Sequence, residues 1–325
     1  MTPTPEKKTE NGIVVKGLGG LYEVETESGR RIECRGRGVF RHEKLTLIPG
    51  DRVSVLYGSG GEVIDRAYPR KTSLIRPAIA NLDLLYLLIP TASPAPSLST
   101  CDKLICICEH NGIDVKIIVS KADLDPSYAE VIADIYKKSG FDVMISGEGY
   151  DKNALKRFVF ENSDGKISAF SGASGVGKST LMNHLFPSLG LETGEISRKV
   201  ERGKHTTRKA ELYGLSGLTN GELHGYLADT PGFSMLDFER FDFFALEDLF
   251  YAFREFVPYE NRCRYTKCTH TKEEGCAILE RVKSGEIPKS RHDSYLEIYE
   301  TLKNKHAWDR KNAPKPPAAS PDKTR

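Results

Sequence analysis

The sequence predicts a multidomain chain in three parts: a small N-terminal β-barrel, a central α/β layer on a mostly parallel sheet, and a short α-helical part near the C-terminal end. Three observations carry that prediction. Residues 11–70 hold five short β-rich runs separated by glycine turns. From residue 82 apolar runs alternate with helical patterns, and residues 263–276 gather three cysteines and a histidine between helix-like stretches.

Composition excludes several classes. The 325 residues carry 47 Lys and Arg against 45 Asp and Glu, a net charge of +2. This is neither an acidic disordered chain nor a histone-like polycation, so any nucleic-acid surface has to come from local clustering. The start, MTPTPEKKTE, is polar, and the longest apolar run, 82-LDLLYLLIP-90, carries Asp83 and is too short to cross a bilayer. The expectation is a cytoplasmic protein with no membrane segment. Of seven cysteines, Cys34, Cys101, Cys106 and Cys108 show no framework spacing, which argues against a secreted disulfide scaffold.

The N-terminal runs are 12-GIVVKGL-18, 20-GLYEVET-26, 31-RIECRGRG-38, 50-GDRVSVLY-57 and 61-GEVIDRAY-68. Five strands at this spacing suggest a small barrel, and the OB-fold is the five-stranded barrel that often binds nucleic acid; an SH3-like barrel is the other form considered. Lys16 to Arg76 holds twelve Lys/Arg against eight Asp/Glu, five of the arginines within 30-RRIECRGRGVFR-41. That is either an RNA-contacting face or a solvated basic one.

After 69-PRKTSLIRP-77 the pattern becomes strand 82–89, helix 98–112, strand 114–120, helix 127–140, strand 141–146, helix 151–160 and strand 166–172. Such βαβ units give a covered parallel sheet with its ligand loops at the C-terminal ends of the strands. Three loops there carry chemistry. Gly172-Ala173-Ser174-Gly175-Val176-Gly177-Lys178-Ser179-Thr180 follows a strand and opens helix 178-KSTLMNHLF-186, the setting of a P-loop. Lys178 is expected to reach the β- and γ-phosphates and the Ser179 hydroxyl to ligate Mg²⁺. The second loop is 229-DTPG-232, after the apolar 223-LHGYLA-228. Here Asp229 can hold Mg²⁺ and Gly232 lets the backbone approach the γ-phosphate. The third is Ser120-Lys121-Ala122-Asp123, whose carboxylate can accept the two donors of a guanine edge while the lysine stem covers the base; the competing reading makes Asp123 a helix N-cap.

Together these loops resemble the GTPase motif set, in which the base-reading [NT]KxD normally comes last. Here it comes first, followed by Ser146-Gly147 as a second base loop, then the P-loop, 202-RGKHTTR-208 and DTPG: a circularly permuted P-loop GTPase. Beyond it stands Cys263-x4-Cys268-x-His270-x5-Cys276, a four-ligand set whose filled positions read as one structural Zn²⁺. The aromatic run 238-FERFDFFALEDLFYAFREF-256 has helical spacing and reads as core packing. The basic, proline-rich tail after residue 308 reads as disordered, with Trp308 as its anchor.

This order of parts resembles the ribosome small-subunit-dependent GTPase family (RsgA), over roughly residues 11–305. The resemblance implies a GTP hydrolase that acts late in 30S subunit assembly, binds 16S rRNA, is stimulated by the small subunit and works as a monomer. It implies a tail over 1–10, an OB-fold RNA-binding domain over 11–74, a GTPase domain over 75–240, a zinc-binding helical domain over 241–308 and a second tail over 309–325. Lys121 and Asp123 would read guanine, and Gly172 to Thr180 would hold phosphates and Mg²⁺. Ser120 departs from the usual Asn or Thr, which is expected to loosen the base loop. Phe233 stands where many GTPases carry a water-orienting Gln, which moves the search for a catalytic group to His205; Thr206 or Thr207 would complete the Mg²⁺ shell. The alternative is a P-loop ATPase or kinase with an accessory RNA-binding module. A third reading is an RNA-binding protein that keeps nucleotide only for stability.

Overall fold

The computed structural model describes residues 8–42, 45–58, 60–74, 78–191, 210–229 and 244–304. His205, Thr206, Thr207, Gly232, Phe233 and Trp308 lie outside the described residues.

β1 (Thr9–Leu18), β2 (Leu21–Thr26), β3 (Arg31–Gly36), β4 (Arg52–Gly58) and β5 (Gly61–Ala67) close a barrel in the order β1-β2-β3-β5-β4, with β3 and β5 parallel. A short helix α1 (Gly38–His42) follows β3, so the third predicted strand stops at Gly36. This five-stranded Greek-key closure is the OB arrangement and decides between the two barrels the pattern allowed. Alternate residues face inward, and Val14, Val24, Cys34, Val53, Val55 and Ile64 fill the interior.

The register of β1 shifts between Val14 and Lys16. That bulge leaves Ile13, Val14 and Val15 all buried: Val14 faces the barrel interior, while Ile13 and Val15 join the core of the neighbouring layer with Leu74, Ile79 and Leu82. The barrel is thereby packed on the rest of the molecule. Gly50, at φ +94°, makes the approach possible, since a Cβ there would lie 1.9 Å from the Ala80 carbonyl oxygen. Beside it Arg70 and Asp51 form a buried pair at 2.6 Å, and Asn81 donates to the Gly50 carbonyl at 2.8 Å.

Counting charge overstated the free basic surface. Of the five arginines in 30–41, Arg30 pairs with Glu10, Arg31 with Glu23 and Glu25, and Arg37 with Asp65. Arg35, Arg52 and Arg66 are exposed on strands β3, β4 and β5.

After a two-stranded ribbon of β6 (Ser73–Leu74) and β7 (Ile79–Ala80), the central sheet runs β10-β9-β8-β11-β13-β12. Its strands are β8 (Leu84–Pro90), β9 (Asp114–Ser120), β10 (Asp142–Ile145), β11 (Lys166–Ser171), β12 (Glu211–Gly214) and β13 (Gly225–Asp229), parallel except for β12 at the edge. All seven residues of β8 are buried. Leu85, Leu87 and Ile89 face one core and Leu84, Tyr86 and Leu88 the other, as expected of a strand covered on both faces.

α2 (Leu98–His110) and α3 (Pro126–Lys138) cover the first face, and α4 (Lys152–Ser163) and α5 (Lys178–Leu185) the second. Their starts are written in sequence: Ser97, Asp125 and Asp151 cap α2, α3 and α4, and Pro126 opens α3. A one-turn helix α6 (Leu215–Leu218) follows β12.

In the C-terminal part, described from residue 244, the described residues of the aromatic run, 244–256, form no α-helix. Two 3₁₀ turns, Leu246–Asp248 and Val257–Tyr259, bracket further turns that still bury Phe253 and Phe256 against Tyr295. Core packing was correctly read there and the helix was not. α7 (Ala277–Ser284) and α8 (Lys289–Lys303) complete the chain's described elements.

α8 docks on α2 and α3 through a fully buried guanidinium. Arg291 donates to Asp102 at 2.6 Å and to Glu255 at 2.7 and 3.3 Å, while Tyr136 and Ser294 also donate to Asp102, at 3.0 and 2.6 Å. The guanidinium carbon also sits 4.7 Å from the Phe253 ring centre. Every lone pair and donor so engaged offsets the desolvation of three charges, and removing one partner strands the others. Arg291→Met is therefore expected to lower unfolding stability by about 3–5 kcal/mol in chemical denaturation. A loss below about 1 kcal/mol would mean that Asp102 and Glu255 relax without it.

Candidate functional site

From β8 the chain winds outward to β9 and β10, then returns to β11 on the other side of β8. The C-terminal ends of β8 and β11 therefore form a topological switch point, where α/β sheets bind ligands. The segment that leaves β11 there is the predicted P-loop. Gly172 passes so close to β8 that a Cβ would meet the Leu88 carbonyl oxygen at 2.8 Å. Gly175 and Gly177 have φ of +84° and +96°, and the buried Val176 side chain plugs the loop from beneath. Ala173 and Ser174 are exposed.

Gly177 is the N-cap of α5 and has no side chain to cap it, so the backbone of the first turn opens toward the loop. Asp229 ends β13, whose Ala228 is paired with Ala169 of β11, so its backbone lies beside the strand that feeds the P-loop. A cavity of about 370 Å³ opens between these ends and the start of α2, lined by Leu88, Pro90, Ser97, Thr100, Ser171 and Gly172 among others.

The base loop leaves β9 one strand beyond β8. Asp123 is exposed, and it does not cap α3: Asp125 does, accepting from Tyr128 N at 2.9 Å. The competing structural role for Asp123 is thus filled by another residue. One carboxylate oxygen of Asp123 accepts from Glu148 N at 2.9 Å. Ala122 N donates to Ser146 O at 3.1 Å, and a Cβ on Gly147 would lie 2.5 Å from the same Asp123 oxygen. Only glycine at 147 lets the two base-loop segments close on each other.

Ser120 does not loosen this arrangement as expected from its departure from Asn or Thr. It is buried, and its hydroxyl donates to the Val176 carbonyl of the P-loop at 2.9 Å. Sequence reasoning also missed Thr91 and Ser93. Thr91 donates through its hydroxyl to Lys121 O at 2.5 Å, and the Lys121 ammonium donates to Ser93 O. The signal available was their position, directly after the strand that ends at the switch point.

The cysteine cluster forms as the spacing predicted. One ligand atom from each of Cys263, Cys268, His270 and Cys276 lies within 4.8 Å of all the others, a set able to hold one metal ion. His270 Nδ1 stands 3.6 Å from Cys263 Sγ and 3.5 Å from Cys276 Sγ, and the two sulfurs are 3.9 Å apart. Burial pushes the Cys268 thiol up to about 12 and the Cys276 thiol upward, and it lowers His270. A cation held among these groups would favour the thiolates. A second layer holds the loop in shape: His292 Nε2 donates to His270 O at 2.8 Å, and Tyr295 OH to Thr269 O at 3.0 Å. Glu273 accepts from the Thr269, Thr271 and Lys272 amides; burial opposes its ionisation, but these bonds and the Thr269 hydroxyl bring it down to about 2.

Comparison with known proteins agrees with both halves of the chain. The model of the RsgA N-terminal domain matches residues 11–62, and that of the RsgA GTPase matches residues 67–239. The chain belongs to the RsgA GTPase family. Curated relatives named small ribosomal subunit biogenesis GTPase RsgA include one from Ruminiclostridium cellulolyticum, 40% identical and covering 90% of this chain and 94% of its own length. Another, from Alkaliphilus metalliredigens, is 38% identical over 91% and 99%. Among solved structures, YloQ, described as a circularly permuted GTPase, aligns with a TM-score of 0.72 at 31% identity, covering 91% of this chain and 96% of that one. YjeQ from Thermotoga maritima aligns with a TM-score of 0.74 at 29% identity, covering 92% and 100%. The permutation read from the order of the loops is thus the arrangement of this RsgA GTPase chain.

Proposed function

We propose that the chain hydrolyses GTP as a late-acting factor in small ribosomal subunit assembly, with guanine read by Lys121 and Asp123. The observation that carries the guanine reading is that Asp123 is left out of helix capping, while one of its oxygens accepts from Glu148 N of the facing loop. With Asp125 capping α3, the Asp123 carboxylate stands at the sheet edge that holds the P-loop and is tied to it through Ser120 and Val176. Two carboxylate oxygens match N1–H and the 2-amino group of guanine; adenine offers no such pair of donors.

Gly172 to Thr180 and Gly232 would cradle the phosphates, with Ser146 and Gly147 closing the base side. Mg²⁺ would be held by Ser179, Asp229 and Thr207; bound with the nucleotide, it neutralises charge on the β- and γ-phosphates. His205 would orient the attacking water. Its segment follows α5 and leads into β12, whose first residue, Glu211, is paired with Asp229 at the end of β13.

The domain division proposed is that of the sequence, with barrel, GTPase and helical parts over 11–74, 75–240 and 241–308. Contact with 16S rRNA is assigned to the exposed arginines of the barrel and to the basic segment around His205, the chain acting as a cytoplasmic monomer. Zinc is assigned to the cluster. With Zn–S of ~2.3 Å and Zn–N of ~2.05 Å, a tetrahedral site has S···S edges of about 3.8 Å and S···N edges of about 3.6 Å, close to the three separations among Cys263, His270 and Cys276, and Cys268 lies within 4.8 Å of the other three.

Two measurements check this reading. Metal analysis of protein made without a histidine tag is expected to find about one zinc per chain; none would remove zinc from the account. GTP turnover, measured alone and with purified 30S, 50S and 70S particles, is expected to rise with 30S only. His205→Ala should keep GTP affinity and lose on the order of ten-fold or more of the stimulated rate. Stimulation by all particles alike, or none, would contradict the small-subunit role, and a fully active His205→Ala variant would leave the histidine out of the chemistry.

A further inference from the structure

A loop that reads a base has to hold one conformation before the base arrives, or the ordering it undergoes weakens binding. Lys121 sits at φ +56°, a left-handed conformation that a residue with a Cβ keeps only where its surroundings impose it. Its carbonyl accepts from Leu124 N at 3.0 Å within the turn, and a second donor reaches it from the end of β8. Pro90 is paired with Ser120 at the end of the β8–β9 ladder, and Thr91 adds one more rung: its amide donates to Ser120 O at 3.1 Å. Its hydroxyl then donates to the carbonyl of Lys121 itself, at 2.5 Å. Thr91 is buried at 5% exposure, which limits the competition of water for that bond. From the backbone so fixed, the lysine side chain runs back along the same segment and seats its ammonium on the Ser93 carbonyl.

We propose that Thr91 is a positioning residue for base recognition. It holds Lys121 in its left-handed conformation, so that the ammonium is tethered at Ser93 and the aliphatic stem is laid out as a flat rail for a purine. This rests on the guanine-reading role of Lys121 and Asp123. The rail acts on the base half of a nucleotide and not on its phosphates, which separates positioning from general support of the fold.

The test compares GDP with inorganic tripolyphosphate, a ligand for the P-loop that has no base, in calorimetric titrations of the full chain. Thr91→Val should weaken GDP on the order of ten-fold, the effect of one buried hydrogen bond, with tripolyphosphate affinity within about two-fold of wild type. Thr91→Ser, which restores the hydroxyl, should bring GDP back. Lys121→Met should show the same selective loss, and the double variant no further loss, as expected of residues acting through one another. If the valine variant is insoluble, Thr91→Ala reads the same comparison. Unchanged GDP affinity, or an equal loss of both ligands, overturns the proposal. Asp123→Asn is scored separately: if it still prefers GDP to XDP, the base-reading assignment fails, whatever Thr91 shows.

Discussion

The nucleotide site depends on one buried hydrogen bond, from Ser120 to the carbonyl of Val176. The base loop follows β9 and the phosphate loop follows β11, and β8 lies between them. Two strand spacings, about 9–10 Å, therefore separate the points from which the loops depart. Each must lean over the end of β8 to share a ligand. The close pass of Gly172 over Leu88 brings the phosphate loop inward, and the rung from Thr91 to Ser120 brings the base loop toward it. The Ser120 hydroxyl closes the remaining gap. Circular permutation does not disturb this, because the bond joins positions in the sheet and is indifferent to which loop the chain makes first.

The same helix that borders this site carries the C-terminal part. α2 starts at the cavity beside Gly172, and in its first turns Asp102 and Lys103 receive Arg291 and Glu297 of α8. The metal cluster is in turn braced on α8, through His292 and Tyr295. A buried ion network is a poor source of net stability but a strict one of geometry, since a shifted helix would leave charges unpaired. The barrel is fixed at the opposite end of the sheet: Lys16 pairs with Glu211 of β12 at 3.0 Å, and Tyr226 of β13 donates to Glu25 at 3.0 Å. β13 ends at Asp229, so barrel and helical part both hold on to elements that border the candidate site.

What was legible in the sequence was the chemistry that demands particular residue types at fixed spacing. The glycines of 172–177, the carboxylate after Lys121 and the four metal ligands each have few substitutes, and β8 could be recognised because both its faces are buried. Other features are set by partners distant in sequence and leave no local mark. The basic character of 30–41 looked free until the β2–β3 register placed Arg31 opposite Glu25. Four-residue β12 was too short to show alternation. Residues 244–256 have helical spacing, yet their rings pack against Tyr295 and Arg291, and tertiary contacts override the local preference. Ser120 read as a weakening because its type was compared with Asn and Thr, whereas its partner is a backbone carbonyl 56 residues away.

Asp123, left out of helix capping and carried on a loop that Ser120 joins to the phosphate loop, is the residue proposed to make this a guanine site. Equilibrium binding of GDP and ADP to the wild-type chain, under one buffer and Mg²⁺ concentration, tests it most directly. GDP should bind tighter by at least about 100-fold, since adenine would leave the carboxylate without its two donors. Comparable affinities would contradict it and favour a P-loop protein that reads phosphates alone.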